Sequence, residues 1–192
     1  MSQLRYQVAI ERRPMAALFE ARGQAAALAH ALAAAGLRWP QAHHRFEPDE
    51  TGTGTVLLGP ARLLVIAPAA QESALAEALG RAFDGEAMAD FALVSDMYAV
   101  FSVSGAGALD VLRQGAPLDL SGQVFPAGSV AGTELWSVTA IILRDPGPGT
   151  GFTLFVDTSL AGYVADWLAV ASGAPSVLKP GTMASPPPAL TP

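Results

Sequence analysis

The chain has 192 residues, room for one compact domain or two small ones, with a formal net charge of −6 and only 11 Lys plus Arg. So few cations cannot track a phosphate backbone, which argues against a nucleic-acid partner. Cysteine is absent, which excludes disulfides, thiolate zinc sites, iron–sulfur ligation and a cysteine nucleophile. The sole lysine, Lys179, lies in the C-terminal segment and leaves none elsewhere for Schiff-base or P-loop chemistry.

The sequence is 51% hydrophobic and 15% charged, against about 25% charged in an ordinary globular domain. Two explanations fit: an apolar surface that a partner covers, or a genome that favours Ala, Gly, Pro and Arg. The longest apolar runs, such as Val65-Ile66-Ala67 and Ala140-Ile141-Ile142-Leu143, fall far short of the roughly 20 residues that span a bilayer. The first residues lack the charged and apolar stretches of a secretory signal. A cytoplasmic protein with no membrane partner is expected.

In chain order, Tyr6–Ile10 reads as a short strand. Ala21–Ala35 reads as a helix, with Ala21, Ala25, Leu28, Leu32 and Ala35 on one stripe and Gly36 as its stop. Residues 38–54 are polar, carry Pro40, Pro48, Gly52 and Gly54, and read as a loop. Thr55–Leu58 and Leu63–Ala67 form a hairpin around Gly59-Pro60. Glu72–Phe83 is a helix with Leu75, Ala78, Leu79 and Ala82 inward and an outer Glu77–Arg81 pair. Met88–Val94 is a strand. The order strand, helix, strand, strand, helix, strand is the ferredoxin-like βαββαβ pattern.

The second half repeats the scheme. Tyr98–Val103 is a strand, and Ser104 can cap a short helix over Gly105–Arg113. After a loop, Leu135–Leu143 and Phe152–Val156 form a hairpin, and Asp157-Thr158 offer caps for a helix over Ser159–Ala171. Its stripe is Leu160, Val164, Trp167, Leu168 and Ala171. The expected organisation is α+β: two ferredoxin-like halves with antiparallel sheets, residues 1–94 and 95–173, and a Pro-rich tail, 174–192. That tail, with Pro175, Pro180, Pro186, Pro187, Pro188 and Pro192, cannot make a helix or a central strand. A pre-extended Pro segment loses little entropy on docking, so the tail suits a partner surface.

No motif assembles a catalytic or cofactor site. Ser104-Gly105-Ala106-Gly107-Ala108-Leu109-Asp110 follows a strand and opens a helix as a dinucleotide loop would, but Asp110 stands where the third glycine belongs. His43-His44, with Glu47, Asp49 and Glu50 nearby, reads as a solvated loop rather than a metal site. Asp96 and Asp110 are candidate paired carboxylates, weighed against a turn-stabilising and a solvent-facing role. All three histidines lie in the first 44 residues, so no Ser/His/Asp triad forms. Trp39, before a Pro in a loop, and Trp136, at the start of a strand, are candidate interface anchors, together with Pro175, Pro186, Pro187 and Pro188; Trp167 reads as core.

Residues 94–171 resemble the gamma subunit of heterotetrameric sarcosine oxidase. The likeness rests on Val94-Ser95-Asp96, Phe101–Ala108, Val111–Leu120, Phe125-Pro126-Ala127-Gly128, a hairpin ending Leu143-Arg144, Phe152–Val156 and a helix ending Asp166-Trp167-Leu168. Leu57-Leu58-Gly59-Pro60 through Val65 looks like the family's first hairpin. Where the family usually has Lys-Gly-Cys-Pro-Leu-Asp-Leu, this chain has Gln114-Gly115-Ala116-Pro117-Leu118-Asp119-Leu120. The resemblance implies an aminomethyltransferase-like, folate-binding-type fold. It implies a non-catalytic structural subunit packed mainly on alpha, within a complex of alpha, beta, gamma and delta chains that oxidises sarcosine or a similar N-methyl amino acid. FAD, FMN, NAD, tetrahydrofolate and zinc are then expected on the partner subunits and none on this chain. The alternatives are a stand-alone folate-binding protein, in which Asp96 or Asp110 would pair with the pterin, and a subunit of a related N-methylglutamate-type dehydrogenase.

Overall fold

The structure, a computed structural model, describes residues 6–147 and 149–173. The proline tail and its expected contact residues lie outside the described residues. Among the described residues nine strands and four α-helices run β1 (Ala9–Arg13), β2 (Ala17–Gly23), α1 (Ala25–Ala34), β3 (Gly54–Gly59), β4 (Arg62–Ala67), α2 (Glu72–Phe83), β5 (Ala89–Leu93), β6 (Tyr98–Ser104), α3 (Ala108–Leu112), β7 (Val130–Leu135), β8 (Val138–Arg144), β9 (Gly151–Asp157) and α4 (Ala161–Ala171). They form two antiparallel sheets. One has the order β3-β4-β2-β5, which is the ferredoxin-like order; the other is β1-β6-β9-β8-β7.

The sheets stack face to face, and the helices cover their outer faces. The period of two along each central strand therefore serves two cores at once. Along β4, Leu63, Val65 and Ala67 point out to α1 and α2, while Leu64 and Ile66 point into the space between the sheets. Along β6, Phe101 and Val103 face the helix-covered side and Val100 faces the other sheet. Phe46, Val130, Ile141 and Phe155 complete that central layer. Burying each such side chain contributes about 1.5–3 kcal/mol.

The sequence reading departs from this structure in several places. Ala17–Gly23 is a strand, and the helix starts only at Ala25. The Ala-rich composition hides the switch of period, because Ala17, Phe19 and Ala21 face one core and Leu18 the other. The end of α1 follows the sequence signal: Gly36 has φ 76°, and Gly36 and Leu37 N–H donate to Ala33 and Leu32 O in a Schellman closure. The first strand lies at Ala9–Arg13 rather than Tyr6–Ile10. It pairs with β6, so the first strand of the chain completes the sheet of the second half. Val130–Leu135, in which Gly132 and Glu134 are poor strand formers, is β7.

The loop 38–54 is not a free polar excursion. His44 N–H donates to Leu57 O and His44 O accepts from Val130 N–H, both at 2.9 Å, so its backbone joins β3 to β7 across the two sheets. Phe46 drops into the central core.

At the opposite side of the sandwich the inter-sheet face turns polar. Glu20 accepts hydrogen bonds from Arg62, at 2.9 Å, and from Arg22. Burial pushes the Glu20 carboxyl up, but the hydrogen bonds and charges of Arg62 and Arg22 outweigh it and hold it below its ordinary value of 4.5. A carboxyl depressed on folding adds stability that is full above its unfolded value and is lost as pH falls through its folded value. Urea unfolding between pH 7 and pH 3 should therefore show stability dropping below about pH 4.5. Glu20→Gln should flatten that dependence and lower stability at pH 7; an unchanged pH profile would show the cluster carries none of it.

Candidate subunit interface

Three segments that carry the sequence resemblance meet at the outer face of the five-stranded sheet. β7 and β8 are joined by the two-residue turn Trp136-Ser137, with φ 49° and 64°. Positive φ at both positions matches the twist of a tight hairpin, but costs a bulky residue backbone strain. Packing offsets it. Trp136 is 8% exposed, and its ring stacks on Trp167 with centroids 6.2 Å apart and planes at 11°. Its N–H donates to Gly115 O at 3.0 Å, and its O accepts from Tyr163 Oη at 3.1 Å. A Cβ built on Gly115 would overlap the Trp136 indole. That overlap is the physical reason for a glycine in Gln114–Leu120.

Trp136 is thus a buried turn residue rather than a strand opener. Trp167 is not core: Leu160, Tyr163, Trp167 and Val170 are each between 39% and 44% exposed. Tyr163, Trp167 and Val170 lie on one stripe of α4, which Leu160 prolongs from the turn just before the helix, while Ala161, Val164, Leu168 and Ala171 face the sheet. The helix carries two apolar faces, and only the inner one is covered among the described residues. Trp39 is half-buried and packs against the α1/α2 core.

Arg144 fixes the rest of the motif string. Its Nη1 donates to Leu120 O at 3.2 Å and to Phe125 O at 3.0 Å, and its guanidinium lies over the Phe152 ring, 5.5 Å from the centroid. Asp119 accepts from Ser121 N–H at 2.9 Å; the Ser121 backbone and side-chain hydrogen bonds hold its carboxyl below the ordinary carboxylate value. Asp157 caps the α4 approach as its position suggests, accepting from Ser159 N–H at 2.8 Å and from Oγ at 2.6 Å.

The enzyme-like motifs have structural occupants. Gly107 N–H donates to Gln7 O and Gly105 N–H to Thr150 O. A Cβ at Gly105 would lie 2.7 Å from Gln7 O, and one at Gly107 would lie 2.7 Å from Tyr6 Cβ. The chain leading into β1 fills the space where a phosphate would sit, and Ser104 ends β6 instead of capping α3. Ser95 is buried and its Oγ accepts from Leu18 N–H at 3.0 Å. Asp96 and Asp110 are exposed and flank opposite ends of β6, about 20 Å apart at strand spacing, so they form no dyad. His43 and His44 are exposed with ring centroids 6.3 Å apart. Among the described residues no three His, Cys, Asp or Glu side chains gather as a metal site, and no helix is long and apolar enough to cross a membrane.

The sequence matches the sarcosine oxidase gamma subunit family over residues 21–174. The chain belongs to that family. It is also similar in fold to a chain of heterotetrameric sarcosine oxidase from Corynebacterium sp. U-96 in complex with pyrrole 2-carboxylate. That likeness has a TM-score of 0.78 and 23% identity, covering 86% of this chain and 84% of that one. Glycine cleavage system aminomethyltransferase T from Bartonella henselae matches with a TM-score of 0.63 and 16% identity, over 89% of this chain and 48% of that one. The gamma-family chain therefore spans about half of the aminomethyltransferase, and the aminomethyltransferase-like, two-sheet α+β fold is established. No curated protein matches the sequence.

Truncating Trp136 to Ala should destabilise the chain by about 3–5 kcal/mol, the usual cost of emptying a large aromatic site. Gly115→Ala should cost about 1–3 kcal/mol by overpacking. Equilibrium denaturation of the two single variants and the double variant checks the coupling: the double should cost less than the sum, because the added methyl enters space that the missing indole leaves.

Proposed function

We propose that this chain is a non-catalytic assembly subunit of a sarcosine-oxidase-type flavoenzyme, in which the complex oxidatively demethylates sarcosine or a similar N-methyl amino acid. Family membership over residues 21–174 supports the complex. The observation that carries the assembly role is the outer stripe of α4. Four large apolar side chains along α4 and the turn before it, with Trp167 stacked on Trp136, form the kind of anchor that a partner covers in protein–protein interfaces. In this reading the alpha subunit is the principal partner, with beta and delta completing the tetramer. Flavin, NAD, tetrahydrofolate and zinc reside on those chains, and the complex works in the cytoplasm. Trp136 supports the interface from beneath; Trp39, half-buried over the α1/α2 core on the other side of the sandwich, would serve a separate contact, and the prolines Pro175, Pro186, Pro187 and Pro188 would add partner surface of their own.

Co-expression with the neighbouring large subunits tests this. Leu160→Glu with Val170→Glu should lower recovery of the chain in the purified complex at least tenfold, while the thermal midpoint of the isolated variant stays within a few degrees of wild type. Full recovery of the double variant would remove α4 from the interface. Oxidation of sarcosine by the isolated chain would overturn the non-catalytic role.

A further inference from the structure

A second surface, on the edge of the sandwich where β7 lies, has features of its own. β7 is an outer strand of its sheet. Inside the ladder Arg144 N–H donates to Ser129 O, whereas Val130 N–H points out of it to His44 O. Backbone direction alternates along an antiparallel strand, so Gly132 and Glu134 also turn their N–H and C=O groups outward. Neither amide has a hydrogen-bond partner among the described residues. Both residues are exposed, and a Cβ built on Gly132 meets nothing within 4 Å. Unpaired edge groups of this kind are a ready template for another strand.

Beside this edge is an open hollow of about 490 Å³. Leu118, Val124, Phe125 and Pro126 make its apolar wall, and Val124 is 61% exposed at the rim. His43, His44 and Arg45 line the other side. Arg45 is half-buried, donates from Nη1 to Ser129 Oγ at 3.3 Å, and forms no ion pair among the described residues. On a chain of net charge −6, an unneutralised guanidinium flanked by two imidazoles is a local preference for a carboxylate.

We propose that this edge docks an extended, acid-bearing segment of a partner subunit. The segment pairs with Gly132–Glu134 as an added strand, places an apolar side chain in the hollow and brings a carboxylate to His43 and Arg45. Strand addition of this kind draws affinity from main-chain hydrogen bonds and selectivity from the neighbouring pocket. The proposal rests on the subunit reading above but uses a surface separate from α4.

The test uses the co-purified complex and the isolated full chain. Amide exchange across residues 130–135 should slow at least tenfold in the complex relative to the free chain. Gly132→Pro removes an outward N–H that the ladder does not use, and should lower retention in the complex at least tenfold. Gly132→Ala keeps that N–H and should be retained like wild type. Val124→Glu, at an exposed position, should weaken retention without moving the thermal midpoint. Exchange across 130–135 that is the same in both states, or full retention of Gly132→Pro, overturns the docking site while leaving the subunit reading intact. Protection that appears in the isolated chain and grows with its concentration assigns the edge to a second copy and also overturns it. A wild-type chain that fails to join the complex overturns both readings.

Discussion

The structure depends on the packing of two sheets against each other while each also packs against its own helices. A central strand in such a sandwich has no solvent face. Both parities of its sequence must be apolar, which is why Leu63-Leu64-Val65-Ile66-Ala67 shows no alternation. Charged side chains on the inner faces gather where the layers open. Glu20, Arg22 and Arg62 sit there, and their mutual hydrogen bonds hold the carboxylate ionised. On the opposite edge the gap is closed by backbone, through the two hydrogen bonds of His44.

This constraint also decides what the sequence could disclose. The hairpin of β3 and β4 and the helix α2 were legible because turn, cap and period agree over short distances. β2 was not, since Ala17 and Ala21 suit a helix as well as a strand and only the unseen second sheet selects the strand. β7 was hidden because an edge strand needs little apolar content of its own. The pairing of β1 with β6 had no local signal at all. On the outer face of the five-stranded sheet, the sequence singled out Trp136 but misplaced Trp167. Periodicity shows that a residue lies on an apolar stripe, not that the stripe belongs to the inside; α4 has two.

The motif string that marks the family turns out to be a set of packing solutions. Gly115 makes room for Trp136, Arg144 ties two loop carbonyls of the Gln114–Gly128 segment, and Gly105 and Gly107 admit the chain that enters β1. None of these roles involves a reacting atom. They shape one outer surface, on which α4 presents its second apolar face.

The pairing of β1 with β6 has a consequence for biosynthesis. β1 leaves the ribosome before β6, and that hydrogen-bonding partner, through Ser104, is translated only after the whole first sheet. The nascent chain must therefore carry an unpaired strand while the four-stranded sheet forms behind it, and its native edge closes late. Three of the five β1 residues are charged, Glu11, Arg12 and Arg13, and charge is what keeps a waiting strand from joining a neighbouring polypeptide.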